Sequence, residues 1–481
     1  MENKTVYAIL ALILLSSLAA NLYVLYYEPL HEDAYFSLRY AEHVKEKFTP
    51  LTSDELSYGG RNLEEPFLYY YLLGLAAKID ENLVRIIAAL ITTSIILVVF
   101  LISSTFISKG LSLIPSVFAA FLPAMFKISI ISPNVLAFLI LFLLIYSFMR
   151  INEKGFLYLF IILSFLLPLT SFLSIFFIFA ALIFLFIMFI EGKRLSELEW
   201  ETLLFSIFVN VLVVLMMFRN SLLSYGPSFI WQNIPSSVLM EYFREFSPVE
   251  IITVLGLASL ILGVIGFAFS FKEKNSLLLS SFFISALVFL WLRIIPFSIG
   301  LILLSLSLAA LSAISLKVLN PYIKRTKFSK FRDRIVQVLF ALAIITSVVP
   351  VVFAVMNYES KVSASTENAI ETIGGNGSVI LAPHEYGHAI TYAGSKNVAD
   401  SLFLLAPAPD KRVKDIEIVY SSQSETTVLE IMRRYEVDYL VLDDYAREKF
   451  GVNELSYIGD KKCFSKVYDE KETKVYRFKC G

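Results

Sequence analysis

Long apolar runs separated by short polar connections fill the first 356 positions, near 6–26, 82–104, 111–127, 135–149, 156–170, 171–190, 199–218, 250–271, 276–291, 296–316 and 335–356. A helix needs about twenty apolar residues to cross hydrocarbon, so the pattern predicts an α-helical polytopic membrane domain over 1–356 with about eleven transmembrane helices. One long polar interruption, 27–81, separates the first two spans and reads as an external loop. Beyond 356 the pattern is that of a water-soluble domain. Segments 378–382 and 438–442 read as buried strands, 426–435 as an amphipathic helix between them, and 464–468 with 474–478 as a hairpin, which together predict a small α/β domain over 357–481.

Composition supports the membrane reading. The chain of 481 residues is 57% hydrophobic and only 17% charged, with a mean hydropathy of +0.70. A soluble globular surface of that size would be far more polar. The formal net charge of −1 argues against a nucleic-acid partner and makes any functional charge a local matter. Basic residues settle the expected orientation. With a cytoplasmic N-terminus, the inside turns receive Lys109, Arg150 with Lys154, Lys193 with Arg194, Lys272 with Lys274, and the run from Lys317 to Arg334, as positive-inside sorting requires. The first span carries no small-residue cleavage pattern and reads as a retained helix. An odd number of spans then puts the 27–81 loop, the 219–249 loop and the C-terminal domain outside a multi-pass cell-membrane protein. On that oxidising side Cys463 and Cys480 flank the hairpin. They either pair across it or stay as two thiols whose register does not match.

Zinc spacings, Gly-rich phosphate loops and internal repeats are absent from the sequence. The span centres also lack charges, which disfavours an ion-coupled transporter. Candidate chemistry gathers instead at the outer rim, first in His31-Glu32-Asp33-Ala34-Tyr35-Phe36-Ser37-Leu38-Arg39-Tyr40 and the following loop to Tyr71. Two adjacent carboxylates and an arginine beside a membrane form an active-site pattern; an interfacial helix with aromatic residues at headgroup level is the other reading.

Asp33-Ala34-Tyr35-Phe36-Ser37-Leu38-Arg39 resembles the first external loop of GT-C class glycosyltransferases, and within that class the Asp-Pro-Tyr-Tyr and Arg pattern of the archaeal catalytic subunit of oligosaccharyltransferase, with Ala34 replacing Pro. The resemblance implies an inverting, oligosaccharyltransferase-like enzyme of protein glycosylation, with a polyprenyl-linked sugar donor, a protein or lipid acceptor and contact with membrane lipid. It implies Asp33 as the catalytic carboxylate, Glu32 as a neighbour whose negative charge would make it a better base, and Arg39 at the donor. The family's second acidic motif would fall at 129–134, where the acids are missing. That leaves a metal, Mg2+ or Mn2+ at Asp33, with few of the oxygen ligands hard cations take. Ser236-Ser237-Val238-Leu239-Met240-Glu241 is similar to the stretch that holds the acceptor, with Glu241 and Glu245 as candidates; acids that merely solubilise a surface loop are the alternative. Arg293, between two apolar runs at the outer face, matches an arginine on the donor phosphate, and a guanidinium can pair bidentately with phosphate at headgroup depth. Snorkelling to lipid headgroups is its plainer role. Finally, Pro383-His384-Glu385-Tyr386-Gly387 stands where the family has Trp-Trp-Asp-Tyr-Gly, which implies acceptor contacts from His384, Glu385, Tyr386 and Gly387 but without the tryptophans that recognise an asparagine sequon. A catalytically silent relative that binds donor lipid or a glycosylation partner remains the alternative to an enzyme.

Overall fold

The computed structural model describes residues 3–241, 247–325, 327–356, 358, 360–375, 377–459, 462–470 and 472–480. They form two compact units. The first comprises Met1–Glu28, Pro66–Phe218 and Tyr242–Tyr358; the second comprises Pro29–Glu65, Arg219–Glu241 and Glu359–Gly481.

The first unit is helical. Seven of its described helices are long and apolar enough to cross a membrane: Asn3–Tyr27, Glu81–Ser104, Lys109–Phe126, Glu197–Met217, Lys274–Trp291, Phe297–Ile323 and Arg334–Met356. Shorter apolar helices, Pro133–Met149, Lys154–Thr170, Ser174–Ile190 and Leu257–Lys272, occupy the other expected spans, and a further one, Leu68–Ile79, forms from the end of the stretch read as the first loop. Helix starts are written locally. Ser196 and Glu199 make a reciprocal capping box at the head of Glu197–Met217, satisfying amide donors that a helix leaves open. Inside the unit, polar side chains fasten helices to one another where water cannot: Asn210 donates to the carbonyls of Ser164 (3.2 Å) and Ser206 (2.9 Å), and the Ser164 and Ser206 hydroxyls are 2.7 Å apart. Elsewhere the absence of a side chain does the work. A Cβ on Gly266 would lie 2.0 Å from the carbonyl oxygen of Leu311, and one on Gly263 2.6 Å from the Leu308 side chain, so helix Leu257–Phe269 packs on Phe297–Arg325 with its backbone almost touching, as small residues permit between membrane helices.

The second unit is an α/β domain assembled from three separated stretches. Its first-loop helix, Glu32–Lys47, has Glu32 and Asp33 in the first turn and Lys45 and Lys47 in the last, each sign at the helix end whose dipole it complements. A short antiparallel pair follows, β1 (Ser53–Asp54) with β2 (Arg61–Asn62). The main sheet contains β3 (Val379–Leu381), β4 (Lys396–Asn397), β5 (Tyr439–Leu442), β6 (Phe464–Glu470) and β7 (Thr473–Phe478) in the order β4-β3-β5-β7-β6. β3 is parallel to β4 and β5, whereas β5–β7 and β6–β7 are antiparallel. The two buried strands, the amphipathic helix (here Glu425–Arg434) and the hairpin therefore match the sequence pattern. The hairpin register sets Phe464 opposite Phe478, which brings the flanking Cys463 and Cys480 to a Cα separation of 4.9 Å, and they form a disulfide.

The Gly266 contact gives a direct test of the helix packing. Gly266→Ala should destabilise the protein by roughly 1–3 kcal/mol through overpacking, seen as a lower melting temperature in detergent. Gly155→Ala, at a helical site with nothing within 4 Å of the added carbon, should leave it unchanged or slightly raised.

Candidate active site

The first-loop helix presents its two acids in different directions, because successive helical residues lie about 100° apart. Glu32 is buried, with Oε1 3.2 Å from Lys361 Nζ and Oε2 3.4 Å from His31 Nδ1. Burial opposes its ionisation, but the charges of His31 and Lys361 hold the carboxyl below its usual range. Asp33 is exposed. Its backbone carbonyl accepts from Ser37 Oγ at 3.3 Å, and among the described residues no hydrogen bond or ion pair reaches its carboxylate. Glu32's charge is thus matched by Lys361 instead of standing beside Asp33. Arg39, two turns on, spends both terminal nitrogens on Asp54, with Nη1 3.0 Å from Oδ1 and Nη2 on Oδ2; Asp54 also accepts from the Leu56 amide at 3.1 Å.

The loop between β1 and β2 is stapled to the segment after β4. Arg61 lies 3.2 Å from Asp400, and both side chains are essentially without solvent exposure. Arg61 also donates to the Leu402 carbonyl. Asp400 accepts from Ser57 Oγ (2.6 Å), Asn397 Nδ2 (3.2 Å) and the Leu402 amide (3.0 Å). Burial works against its charge, yet Arg61 and this donor set keep the carboxyl below its usual range. Tyr58 completes the staple: its hydroxyl donates to the Asp400 carbonyl at 2.7 Å, and the Arg61 guanidinium stands 5.1 Å over its ring.

The turn at 384–388 is fixed by its Tyr386-Gly387 pair. Tyr386, fully buried, donates to Asp443 Oδ2 at 2.5 Å, an oxygen that also accepts from Thr366 at 2.6 Å, while Asp443 Oδ1 caps helix Asp444–Phe450 through the Ala446 amide. Gly387 has no room for a side chain, since a Cβ there would meet Asp400 Cβ at 2.3 Å and the Ala399 carbonyl at 2.4 Å. These two residues thus hold the turn in place. His384 packs its ring 5.7 Å from that of Phe403; burial, with Lys449 and Lys361 adding and Glu385 opposing, pushes its pKa down to about 4, so it is neutral at neutral pH. Glu385 is buried, with Oε1 accepting from Tyr445 at 2.8 Å and from Lys449. Burial would raise this carboxyl, but His384, Lys449 and Lys361 hold it well below the carboxylate range.

The 219–241 stretch is anchored at both ends to this unit. Glu64 accepts from the Asn220 amide (2.8 Å), the Ser221 amide (2.9 Å) and the Ser221 hydroxyl (2.5 Å), while Asn233 donates to the Phe403 carbonyl at 3.3 Å and the Ser236 amide to Asp410 at 3.3 Å. Glu241 is half-buried. After burial, its charge raises the carboxyl of Glu417, against the opposing charges of Lys449 and Lys414. Glu245 lies outside the described residues.

Arg293 belongs to the helical unit, in the turn between Lys274–Trp291 and Phe297–Arg325. It is half-buried and has φ +55°, a left-handed conformation unusual for a bulky side chain and worth noting as a strained site. Its amide donates to the Leu290 carbonyl at 3.1 Å. In the same unit Asn134, at the place of the missing acidic motif, accepts from Ser171 Oγ at 2.8 Å. Among the described residues no three His, Cys, Asp or Glu side chains come together as a metal would need. Within the second unit's described residues, the exposed Asp33 carboxylate stands without the several further oxygen ligands that Mg2+ or Mn2+ takes.

No family model and no curated protein matches the sequence. Solved structures do. Archaeal oligosaccharyltransferase AglB from Archaeoglobus fulgidus, in complex with an inhibitory peptide and a dolichol-phosphate, is similar at 14% identity and a TM-score of 0.63, over 90% of this chain and 69% of that one. The same organism's oligosaccharyltransferase in complex with Zn and sulfate is similar at 14% identity and 0.60, over 96% and 72%. ArnT from Cupriavidus metallidurans bound to undecaprenyl phosphate is similar at 11% identity and 0.58, over 98% and 97%. The helical unit, the sheet domain and these likenesses agree: the chain has the fold of the GT-C membrane glycosyltransferases.

Proposed function

We propose that this protein is an inverting membrane glycosyltransferase that moves a sugar or glycan from a polyprenyl-phosphate-linked donor to an external acceptor. The observation that carries the reading is the contrast at the first-loop helix. Glu32, Arg39 and Arg61 are all consumed by internal partners, while Asp33, held on the same rigid helix, keeps an exposed carboxylate. A general base must be both fixed and open. In the reaction Asp33 takes the proton of an acceptor hydroxyl as its oxygen bonds to the anomeric carbon, and the bond from that carbon to the carrier phosphate breaks. Arg293 binds the phosphate through a bidentate contact. The solved relatives bound to dolichol-phosphate and undecaprenyl phosphate support a polyprenyl carrier.

A hydroxyl or lipid acceptor fits the residues better than an asparagine. The second acidic motif is absent, and His384 and Glu385 stand in place of recognition tryptophan and aspartate with their polar atoms engaged or buried. The transfer is therefore read as metal-independent. Glu241 lies at the acceptor side together with the 384–387 turn. The internal pairing of Arg39 and Glu32 favours a second reading, a silent relative that binds donor lipid without turnover. The basic turns support a cytoplasmic N-terminus with Pro29–Glu65 and Glu359–Gly481 outside, and the Cys463–Cys480 disulfide supports an oxidising surrounding for the latter. Comparing surface glycans and lipid-linked sugars by mass spectrometry in cells with and without the protein separates enzyme from silent relative.

Asp33→Asn should reduce turnover by about 10²–10⁴, the usual worth of general-base catalysis, in a detergent assay where wild type stays active with chelator present. Activity lost to chelator would establish a metal-dependent route, and activity indifferent to the substitution would remove Asp33 from the chemistry. Arg293→Lys should weaken donor binding by loss of a charge-assisted contact worth roughly 1.5–3 kcal/mol, with the melting temperature unchanged; equal donor affinity in the two proteins would return Arg293 to lipid anchoring. For orientation, Ser53→Cys and Ser422→Cys should both react with an impermeant thiol reagent applied from outside. Reaction of one site only from within would end the topological reading.

A further inference from the structure

The first span carries a polar pair on the side turned away from lipid. In helix Asn3–Tyr27, Leu12, Leu15 and Tyr23 are exposed, whereas Ser17 and Asn21 are buried, Asn21 being only 2% exposed. Residues of a helix lie about 100° apart, which sets Asn21 opposite the exposed stripe, with Ser17 one turn before it on the same face. Among the described residues Asn21 Nδ2 makes no hydrogen bond. An unpaired carboxamide donor is costly in an apolar surrounding, and polar groups within membrane spans are kept where the bundle interior offers them a partner.

Asn21 and Ser17 line a narrow slot inside the helical unit. Thr92 of helix Glu81–Ser104 is its third polar wall, and Met125, Phe126 and Leu306 belong to its apolar lining. The Thr92 hydroxyl donates its proton to the Ala88 carbonyl at 2.9 Å, so toward the slot its oxygen can only accept.

Size and chemistry together select the occupant. Every side chain lining the slot is uncharged, and an ion taken there would lose its hydration without gaining a counter-charge. The space admits about one water-sized group, too little for a sugar, a phosphate or an acyl chain. Asn21 offers a donor, Thr92 an acceptor and Ser17 either, so a ligand that satisfies all three must both accept and donate. Water does, and three hydrogen bonds are about what a buried water makes. A lipid ether or ester oxygen only accepts, and lipid lies on the side of the helix that Asn21 does not face.

We infer that the slot is a water-binding site that joins the first span to helix Glu81–Ser104. The water accepts from Asn21 Nδ2, donates to Thr92 Oγ1 and completes its bonds with the Ser17 hydroxyl.

Hydroxyl-radical footprinting of the full chain in detergent tests this directly, because radicals formed from a bound water oxidise the side chains around it. Met125 and Met188 are both buried in the helical unit, and of the two Met125 lines the slot. Met125 should oxidise several times faster than Met188 in wild type, and Asn21→Leu should bring it down to the Met188 rate. Melting temperatures in the same detergent give a second readout. Thr92 and Thr93 are a matched pair, each buried and each donating to the carbonyl four residues back, at 2.9 and 2.8 Å, but Thr93 is not in the slot wall. Thr92→Val should lower the melting temperature by about 2 °C more than Thr93→Val. The losses from Asn21→Leu and Thr92→Val should fall short of adding, since both remove the same ligand.

Equal oxidation of Met125 and Met188 in wild type would overturn the inference, as would Met125 oxidation that survives Asn21→Leu. So would a raised melting temperature in Asn21→Leu, the sign of a dry slot relieved of an unpaired donor. A gap between wild type and Asn21→Leu that opens only when lipid is added back would assign the oxygen to a lipid and overturn it too. If Asn21→Leu fails to fold, the wild-type Met125 rate and the comparison of Thr92→Val with Thr93→Val decide.

Discussion

The second unit depends on one buried ion pair, Arg61 with Asp400. Two charges removed from water gain little net stability from their mutual attraction, and they persist only where geometry and extra hydrogen bonds repay desolvation. Here those bonds are present: Ser57, Asn397 and the Leu402 amide complete the carboxylate, and Tyr58 lies under the guanidinium. What the pair secures is placement. It closes the β1–β2 loop onto the segment after β4, and the same segment comes so close to Gly387 that no side chain fits there. The 384–388 turn and the first-loop helix are thus referenced to one internal anchor, and Asp33 inherits its position from it. Removing either charge alone would leave the other buried without a partner, which is costlier than losing the pair's own attraction.

Around this anchor the ionisable residues divide into those that build and those left open. Tyr386 is spent on Asp443, Glu385 on Lys449 and Tyr445, Glu64 on the head of helix Arg219–Tyr225, and Arg39 on Asp54. A resemblance at the level of motif letters therefore does not divide structural from chemical roles. The Tyr-Gly pair of the 384–388 turn is kept because a buried phenol and a close backbone approach require it, and that requirement would hold with or without an acceptor nearby.

Much of the architecture was legible in the sequence, since long apolar spans, the short continuously apolar strands near 380 and 440 and the C-terminal hairpin all write their pattern locally. Short pieces were not. β4 is two residues, Lys396–Asn397, held by parallel pairing that leaves no periodic trace, and Leu68–Ile79 hid among the polar residues of the first loop. The Arg61–Asp400 pair joins positions 339 apart, and no local signal marks such a contact. The direction of Glu32 has a reason the helix itself contains. Spaced three, four and eight residues before Tyr35, Phe36 and Tyr40, it lies on the buried face, so helical periodicity pointed it inward and only its adjacency to Asp33 suggested a shared role. His388 was visible as a residue but its burial against Phe36 and Asp400 was not.

That the second unit is drawn from three distant stretches of chain has a consequence for its biogenesis. Ser57 must wait for Asp400, a partner 343 positions later, before the hydrogen bonds that order its loop can exist, and long-range closure of this kind is slow compared with local helix formation. The membrane helices made in between can therefore be inserted while the segment bearing Asp33 is still without its scaffold. A nascent chain that has not yet reached Asp400 cannot hold Ser57, Tyr58 and Arg61 in their final pairing, so the ordering of the first loop reports that the segment after β4 has been synthesised and has arrived.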